Sequence, residues 1–424
     1  HECQKMKKSL FFMRKEVENF SQEMANEFDV QYIVQSIQKC IQKTMRKDTE
    51  RVNRRMADQL DFVKGKYKEE LALRKQLQNE LMEERGNIRV FCRVRPFLKN
   101  EKKEGPLQIL STDTLAVHHN AGKVRQFDMD SVYPMETSQE HIFLDVQPLL
   151  SSVFDGYNVC ILAYGQTGSG KTYTMEGVPD SPGVIPRALS ELFAIARQKQ
   201  DVFSIRLTLS MIEIYNNDIR DLLTSPRSSK KIEFADVGEG GLEVKNVMRV
   251  EVTEISEVQK FIKIGSSHRA EGATLMNNNS SRSHSIVTID VECTQTERGK
   301  QKLGFIVRPT KAKLRLVDLA GSECVGMSGV TGEAQMEASH VNRSLSALSD
   351  VMKALSTPNR THIPYRNSRL THFLQDSLGG DAKMVIIVNV SPTTKCITET
   401  THSLSFGSRV RHITRGKAQK HLKL

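Results

Sequence analysis

The chain of 424 residues contains no tryptophan, and aromatic residues make up only 6% of it. Its cysteines number seven, none in a CxxC pair, which argues against a disulfide framework and a zinc site and favours a reducing compartment. No apolar stretch is long enough to span a bilayer, so we do not expect a membrane protein. The lack of a zinc-finger spacing and of an aromatic RNA-binding motif argues against a nucleic-acid-binding protein.

The first residues, HECQKMKKSL, show neither an initiator methionine nor a basic-then-apolar leader, so we interpret them as part of a longer chain rather than as a targeting signal. The length predicts one large globular unit with an appendage, or two domains. A net charge of +11 favours polyanionic partners, which include nucleic acid, an anionic membrane and an acidic protein surface.

Residues 1–86 form the predicted appendage. Up to about Arg85 they contain no proline and a single glycine, Gly65, which is a helical composition. Apolar residues follow coiled-coil spacing at Leu10, Met13, Val17, Phe20 and Met24, and again at Val52, Met56, Val63, Leu73 and Leu77. Polar residues interrupt the second seam at Gln59, Lys66 and Glu70. The segment is therefore a weak coiled coil, or helices folded against the globular part with Asp29 capping a second helix.

Composition changes at Gly86–Asn87, after which IRVFCRVRPF predicts a first strand. Further strands are predicted at 158–165, 204–215, 285–294, 313–321 and 383–392. Helices are predicted among them, including HIFLDVQPLLSSVF and EAQMEASHVNRSLSALSDVMKALS. Strands mixed with helices in this way predict an α/β fold whose central sheet is covered on both faces.

One segment fits the phosphate-binding pattern G-x-x-x-x-G-K-[ST] and follows the strand-like NVCILAY. Its residues are Gly165, Gln166, Thr167, Gly168, Ser169, Gly170, Lys171 and Thr172. Glycines let backbone N–H groups turn toward phosphates, Lys171 adds positive charge, and the Thr172 hydroxyl can ligate magnesium. We therefore predict a nucleotide site here.

Two further segments suit a nucleotide site. KLRLVDLAGSE provides Asp318 for the magnesium shell and Gly321 for close backbone approach, although by itself it is also compatible with an ordinary strand-to-loop exit. The polar run 277–284 is too polar for a core and precedes another strand, and by itself it is more typical of a solvated loop.

GQTGSGKT, NxxSSRSH and DLAGSE, in this order, resemble the kinesin motor family. The resemblance extends to RVFCRVRP, EIYNNDIRDLL, VNRSLSALS, HIPYRNSRLTHFLQDSLGG and SFGSRV, and it covers about residues 87–411. It implies the P-loop NTPase fold of kinesin motors, with a central, mostly parallel sheet and helices on both faces. It also implies ATP or ADP and Mg²⁺ as ligands and hydrolysis of ATP. No guanine-selecting NKxD is present, which favours ATP over GTP.

The resemblance also assigns site residues. It implies that Arg93, Pro96 and Tyr173 frame the adenine, while Lys171 and Asn277 meet the phosphates. Thr172 and Ser281 would ligate magnesium, alongside Asp318. Arg282 would pair with Glu323 and, with Gly321, place the attacking water, which suits a reaction that depends on positioning and charge stabilisation.

In kinesins the segments matching 331–355 and 361–377 press on tubulin, which implies microtubules as the partner. The candidate contacts are Arg343, Arg366 and Arg369, although each is equally compatible with an ordinary solvated position. Cys324 and Met327 stand where relatives commonly have basic residues, and Ser349 replaces a usual glycine. These departures place track affinity in doubt and keep open the alternative of a structural microtubule-binding protein with weak ATP turnover.

The motor lies at the C-terminal end of the chain, directly after Gly86–Asn87, and only a basic tail, 412–424, follows it. This arrangement resembles the kinesin-14 class, whose members step toward the microtubule minus end. The resemblance implies a homodimer or heterodimer formed through residues 1–86, and a location on the cytoplasmic microtubule cytoskeleton, including the spindle.

Overall fold

The computed structural model of the chain describes residues 2–23, 30–84, 87–119, 122–225, 232–236, 242–275, 279–303, 306–322, 333–357, 362–379 and 382–413. The chain forms two compact units, His1–Leu81 and Met82–Leu424, which are described separately below. Within the described residues, every helix is too short or too polar to cross a membrane.

The first unit is helical, as its composition predicts. Helix α1 spans Glu2–Glu23 and helix α2 spans Val30–Glu84, whose last residues belong to the second unit. Gly65 lies inside α2 without interrupting it. The predicted cap Asp29 lies outside the described residues, and the predicted domain boundaries, 1–86, 87–411 and 412–424, stay a prediction.

The second unit contains the strands of the fold and nine more helices within the described ranges. The strands are β1 Ile88–Val94, β2 Leu107–Ile109, β3 Thr114–His118, β4 Val124–Asp128, β5 Ser131–Tyr133, β6 Asn158–Tyr164, β7 Gly177–Val178, β8 Ser181–Pro182, β9 Phe203–Tyr215, β10 Asp218–Asp221, β11 Glu233–Asp236, β12 Leu242–Lys245, β13 Val250–Glu251, β14 His284–Gln295, β15 Thr310–Asp318 and β16 Ala382–Val390. The helices are α3 Gln139–Phe154, α4 Lys171–Met175, α5 Val184–Lys199, α6 Ile255–Leu275, α7 Glu297–Leu303, α8 Glu333–Ser356, α9 Arg369–Phe373, α10 Gln375–Leu378 and α11 Ile397–Arg411. The predicted strands and the two predicted helices are confirmed, with ends shifted by at most three residues.

The central sheet has the order β10-β9-β14-β15-β6-β16-β1-β5, and β13 pairs with β9. The neighbours from β15 to β5 are parallel, whereas β14 is antiparallel to both β15 and β9. Of the nine described strands in this central sheet, six therefore run in one direction: β5, β1, β16, β6, β15 and β9. The expected mostly parallel sheet is confirmed, and its parallel part surrounds β6.

Helices cover both faces of this sheet. The residues of β6 alternate between two apolar clusters: Val159, Ile161 and Ala163 lie with α3, α4, α5 and α6, and Cys160, Leu162 and Tyr164 lie with α8, α9, α10 and α11. All six side chains are buried. A strand buried on both faces has a continuous apolar sequence, which is why NVCILAY lacks the alternation of a half-exposed strand. Full burial of each large aliphatic side chain contributes about 1.5–3 kcal/mol.

A buried ion pair joins β15 to α10. Arg315 is 3% exposed and forms a two-pronged contact with the Asp376 carboxylate, with Nη2 donating to Oδ2 at 2.8 Å. Arg315 also donates to Ser377 Oγ at 2.7 Å and lies over the Phe373 ring. Burial by itself would raise the pKa of Asp376, but the adjacent Arg315 outweighs burial and holds that pKa below its ordinary value.

We predict that Asp376→Ala lowers the free energy of unfolding by about 3–5 kcal/mol, because it leaves a buried guanidinium without its counter-charge. Denaturant unfolding of the purified chain measures this change. The matched control is Arg315→Met combined with Asp376→Leu, which removes both charges and is expected to restore most of the lost stability. A single variant as stable as the wild type would contradict this assignment.

The same pair gives a pH dependence. Since the folded-state pKa of Asp376 lies below its unfolded value, the stabilisation is present above the ordinary aspartate range and is lost as the pH falls through the folded value.

Candidate active site

The phosphate-binding loop connects β6 to α4 and depends on glycine at its two ends. Gly165 has φ 144° and Gly170 has φ 97°, both in the region that L side chains rarely adopt. A Cβ on Gly165 would lie 2.1 Å from the backbone oxygen of Asn389 at the end of β16. The loop is therefore held against the neighbouring strand in a conformation of the kind that directs backbone N–H groups toward an anion.

Lys171 is oriented by this loop. Its side chain is buried, and its ammonium group donates to the backbone oxygen of Gln166 at 2.9 Å. Ser169 Oγ donates to the same oxygen at 2.7 Å. The structure thus brings a buried positive charge into the loop, where the charge of a bound phosphate would offset the cost of its burial.

Thr172, in the first turn of α4, contacts Asp318, the last residue of β15. The Thr172 hydroxyl donates to Asp318 Oδ2 at 2.8 Å, and Asp318 is 1% exposed. Its other oxygen, Oδ1, is buried and has no hydrogen-bond partner among the described residues. A hydroxyl and a carboxylate with an unused oxygen are hard ligands of the kind that Mg²⁺ prefers, so the residues fit this ion. The described part of the chain holds no cluster of three or more His, Cys, Asp or Glu residues for a metal, and Mg²⁺ characteristically needs only one or two carboxylates beside phosphates.

The segments before β14 and after β15 contact each other and the loop. Gly321 N donates to the Ser281 backbone oxygen at 3.0 Å, and Ser322 N donates to the Gly165 backbone oxygen at 3.1 Å. These bonds bring Ser281, Gly321 and the phosphate-binding loop to one place. Arg282 lies beside them in the 3-10 helix Asn279–Arg282. The predicted residues Asn277 and Glu323 lie outside the described residues.

Two of the three predicted adenine residues, Arg93 and Tyr173, are in contact where the loop enters α4. Tyr173 is 43% exposed and Pro96 is exposed. Arg93 is buried beneath the tyrosine, with its Cζ 5.2 Å from the ring centroid, and it donates to Gln139 and Thr174. Arg93 is therefore placed to support the ring from below.

Arg269 on α6 forms the electrostatic centre behind the site. It is 7% exposed and lies 3.5 Å from Asp318, 3.8 Å from Glu213 and 3.6 Å from Glu176. It also donates to the backbone and hydroxyl of Ser283. Burial raises the pKa of Glu176, and Arg269 opposes that rise. One guanidinium thus holds together elements that carry the loop, Asp318 and the start of β14.

Sequence reasoning missed three groups around the site. Arg95 lies beside Gly170 and forms a two-pronged pair with Glu101, at 2.6 and 2.7 Å; its signal was the alternation of Arg93 and Arg95 in RVRP. Asn389 donates to Thr174 Oγ1 at 2.7 Å, and its signal was a polar residue inside the apolar run KMVIIVNV. Arg269 had no signal, because a lone arginine within a helix resembles a solvated residue.

The candidate track contacts are exposed. Arg343 lies on α8, Arg366 in the 3-10 helix Tyr365–Asn367, and Arg369 at the start of α9. All three side chains are exposed, and α8 packs against both α9 and that 3-10 helix. The structure therefore places these arginines on neighbouring elements.

The fold and the loop geometry define the class of P-loop nucleotide-binding proteins. The sequence model of the kinesin motor domain family matches residues 93–413 of the chain, so the chain belongs to the kinesin motor family.

Plant relatives agree with this membership. Kinesin-like protein KIN-14E of Oryza sativa subsp. japonica is 45% identical over 367 residues, which cover 85% of this chain and 33% of that protein. Kinesin-like protein KIN-14R of Arabidopsis thaliana is 43% identical over 370 residues, covering 86% of this chain and 33% of that protein. The chain spans about a third of the length of these curated relatives.

Solved structures share the fold. The C-terminal motor and motor homology domain of Kar3Vik1, fused to a synthetic heterodimeric coiled coil, has a TM-score of 0.77 at 34% identity and covers 89% of this chain and 99% of that chain. The motor domain of the kinesin-like protein Kar3 from Saccharomyces cerevisiae has a TM-score of 0.65 at 37% identity, covering 77% of this chain and 99% of that chain.

We predict that Arg269→Met destabilises the motor by about 3–5 kcal/mol, because it leaves buried carboxylates without a cation. Without Arg269 the pKa of Glu176 rises further above its unfolded value, and such a group stabilises the fold only at low pH. The stability difference from wild type should therefore be largest at neutral pH and shrink as the pH falls.

Denaturant unfolding at several pH values tests this prediction. Arg269→Lys is the matched control, since it keeps the charge and loses only the guanidinium geometry, so a smaller loss is expected. A loss that is the same at every pH would refute the electrostatic explanation.

Proposed function

We propose that this chain is an ATP-hydrolysing motor domain that microtubules stimulate. The observation that carries the proposal is the hydrogen bond between Thr172 and Asp318 at 2.8 Å. It joins the phosphate-binding loop to the end of β15, and a site that responds to the γ-phosphate needs such a junction. The family membership of residues 93–413 supports the same conclusion.

The ligands proposed for the site are ATP or ADP with Mg²⁺. Loop residues 165–170 would surround the phosphates with backbone N–H groups, and Lys171 would neutralise their charge together with Asn277. Thr172, Ser281 and Asp318 would hold the magnesium ion, which when bound supplies charge neutralisation at the phosphate oxygens. Tyr173 and Pro96 would frame the adenine, with Arg93 beneath the ring.

Hydrolysis in this proposal depends on positioning rather than on a strong base. Gly321 lies within hydrogen-bond distance of the Ser281 backbone, so the segments before β14 and after β15 can orient water together. Arg282 is proposed to pair with Glu323 and to stabilise charge on the transferred phosphoryl group. A loose phosphoryl-transfer transition state needs little more from a protein than these roles.

The proposed track-binding face consists of Arg343, Arg366 and Arg369. Exposed guanidinium groups on adjoining elements suit an acidic protein lattice, and the net charge of +11 favours the encounter. Contacts of this kind weaken as salt increases. The similarity to KIN-14 proteins supports the proposed minus-end direction and a location on the cytoplasmic microtubule cytoskeleton.

Steady-state ATPase activity with and without microtubules tests the proposal. We expect turnover to rise severalfold with microtubules, and Lys171→Ala to abolish tight nucleotide binding and turnover while the fold is kept, because the phosphates lose their main side-chain cation. Arg411→Ala, which changes an arginine far along the chain in α11, is a charge-matched control that should retain ATP affinity.

The outcomes separate the two functions. Microtubule binding without stimulated turnover would favour the structural microtubule-binding protein. Unchanged ATP affinity in Lys171→Ala would refute the assignment of the nucleotide site.

We further propose that residues 1–86 pair weakly with a second helical chain. In the single chain, several seam residues on both helices are more than half exposed, including Met13 at 53%, Phe20 at 65% and Met56 at 65%, whereas Leu10 and Val17 are partly buried. Gln59, Lys66 and Glu70 are also exposed and fall on core positions of the seam, where polar groups lower stability.

We expect a monomer–dimer equilibrium that shifts toward monomer on dilution, because the polar core positions weaken the helix pair. Sedimentation equilibrium over a wide concentration range measures it. Replacing Gln59 and Lys66 with leucine should strengthen the dimer, whereas replacing Arg14, outside the seam, with glutamine should not. A constant monomer mass, or a dimer that survives extreme dilution, would contradict weak pairing.

A further inference from the structure

His284 is a buried histidine that the proposed catalytic roles leave unused. It begins β14, three residues after Ser281, and it is 2% exposed. Burial, and after it the positive charges of Arg269 and Lys171, lower its pKa to about 3. The imidazole is therefore neutral under physiological conditions, with one nitrogen as a donor and the other as an acceptor.

The hydrogen bonds of His284 determine which nitrogen carries the proton. The backbone N–H of Ala320 donates to Nδ1 at 3.0 Å, so Nδ1 must be the unprotonated nitrogen. Nε2 therefore carries the proton and lies 2.8 Å from Ser344 Oγ. The Ser344 hydroxyl donates its hydrogen bond to the Val341 backbone oxygen at 2.7 Å, so its oxygen accepts the hydrogen bond from His284 Nε2. The hydrogen bonds therefore run in one direction, from the Ala320 N–H through His284 and Ser344 to the Val341 backbone oxygen.

These bonds link two regions with different proposed roles. Ala320 lies between Asp318 and Gly321 at the nucleotide edge, whereas Ser344 lies on α8 beside the exposed Arg343. Successive residues of a helix point about 100° apart, so one turn of α8 presents Arg343 to solvent and Ser344 to the core. A displacement of α8 would strain the bond between Ser344 and His284, and through the imidazole the bond to Ala320, which is one residue from Gly321.

We propose that His284 is a positioning residue that couples α8 to the backbone at Ala320, so that contact of α8 with the track changes the geometry of the nucleotide edge. The inference rests on the proposed function, because it concerns microtubule stimulation of the same site. A neutral imidazole suits the role since its two nitrogens have opposite hydrogen-bonding character on opposite sides of one rigid ring.

Two substitutions, one at His284 and one at Ser344, remove the bond to α8 and leave the bond from Ala320 in place. His284→Asn places an amide oxygen near the position of Nδ1, so it keeps the bond from Ala320 and does not reach Ser344. Ser344→Ala removes the same α8 bond from the other side. Each is expected to lower the ratio of microtubule-stimulated to basal turnover about three- to tenfold, the loss typical of one buried hydrogen bond. Since both remove one interaction, the double variant should be no worse than either single variant.

Controls identify a merely structural effect. Ser346→Ala removes an exposed hydroxyl from the same helix and should keep the wild-type ratio of stimulated to basal turnover. Ser344→Thr keeps a hydroxyl acceptor, so it should keep the stimulation that Ser344→Ala loses. His284→Gln reaches toward Ser344 but loses the acceptor for Ala320, so basal turnover should fall as well. Equal loss of basal and stimulated turnover in Ser344→Ala, or additive effects in the double variant, would overturn the proposal.

A nitrogen-15 NMR spectrum of the wild-type imidazole groups tests the bond arrangement without microtubules. We expect one histidine signal, absent in His284→Asn, with the proton on Nε2 and no titration between pH 5 and 8. A titrating signal or the other tautomer would overturn the inference. If the wild type shows this signal but no microtubule stimulation, the proposed function and the coupling role both fail; if stimulation is normal and insensitive to Ser344→Ala, only the coupling role fails.

Discussion

The carboxyl ends of parallel strands meet at one edge of the central sheet, and every feature of the site depends on this constraint. β6 lies between β15 and β16, so the loop that follows β6 has Asp318 on one side and Asn389 on the other. The loop cannot move away from β16 at Gly165 without losing the close contact that only glycine permits. The start of β14 reaches the same edge because β14 is antiparallel to β15. Four distant segments thereby become neighbours.

Two buried arginines then hold the layers around this edge. Arg269 joins α6 to Glu213, Glu176 and Asp318, and Arg315 joins β15 to Asp376 on α10. Both guanidinium groups are almost fully buried, so each depends on its carboxylates for compensation of the lost hydration. A fully paired buried charge network rigidifies the elements that it joins, so it fixes their positions relative to one another.

The fold was largely predictable from local patterns. The strand β6 followed from a continuous apolar run bounded by glycines, and α8 from the apolar spacing of EAQMEASHVNRSLSALSDVMKALS. In the site, the position of Lys171 in the phosphate-binding loop followed from a motif whose residues are contiguous. Arg269 and His284 were not predictable in the same way, since the carboxylates around Arg269 and the hydrogen-bond partners of His284 lie 36 to 93 residues away along the chain. A sequence pattern reports contacts within a turn or a strand, whereas these contacts depend on how α6 and α8 pack on the sheet.

The amino-acid sequence by itself determined the class of the nucleotide loop, the helical character of residues 2–23 and 30–84, and the strands and helices described in the second unit. These features follow from backbone geometry and from apolar periodicity, both of which act over a few residues. Tertiary structure decided the order of the strands, the placement of Arg93 beneath Tyr173 rather than at the surface, and the direction of the hydrogen bonds through His284. Those features depend on which side chains lose their contact with water when the layers pack, because a buried donor or charge must then find its partner inside the protein.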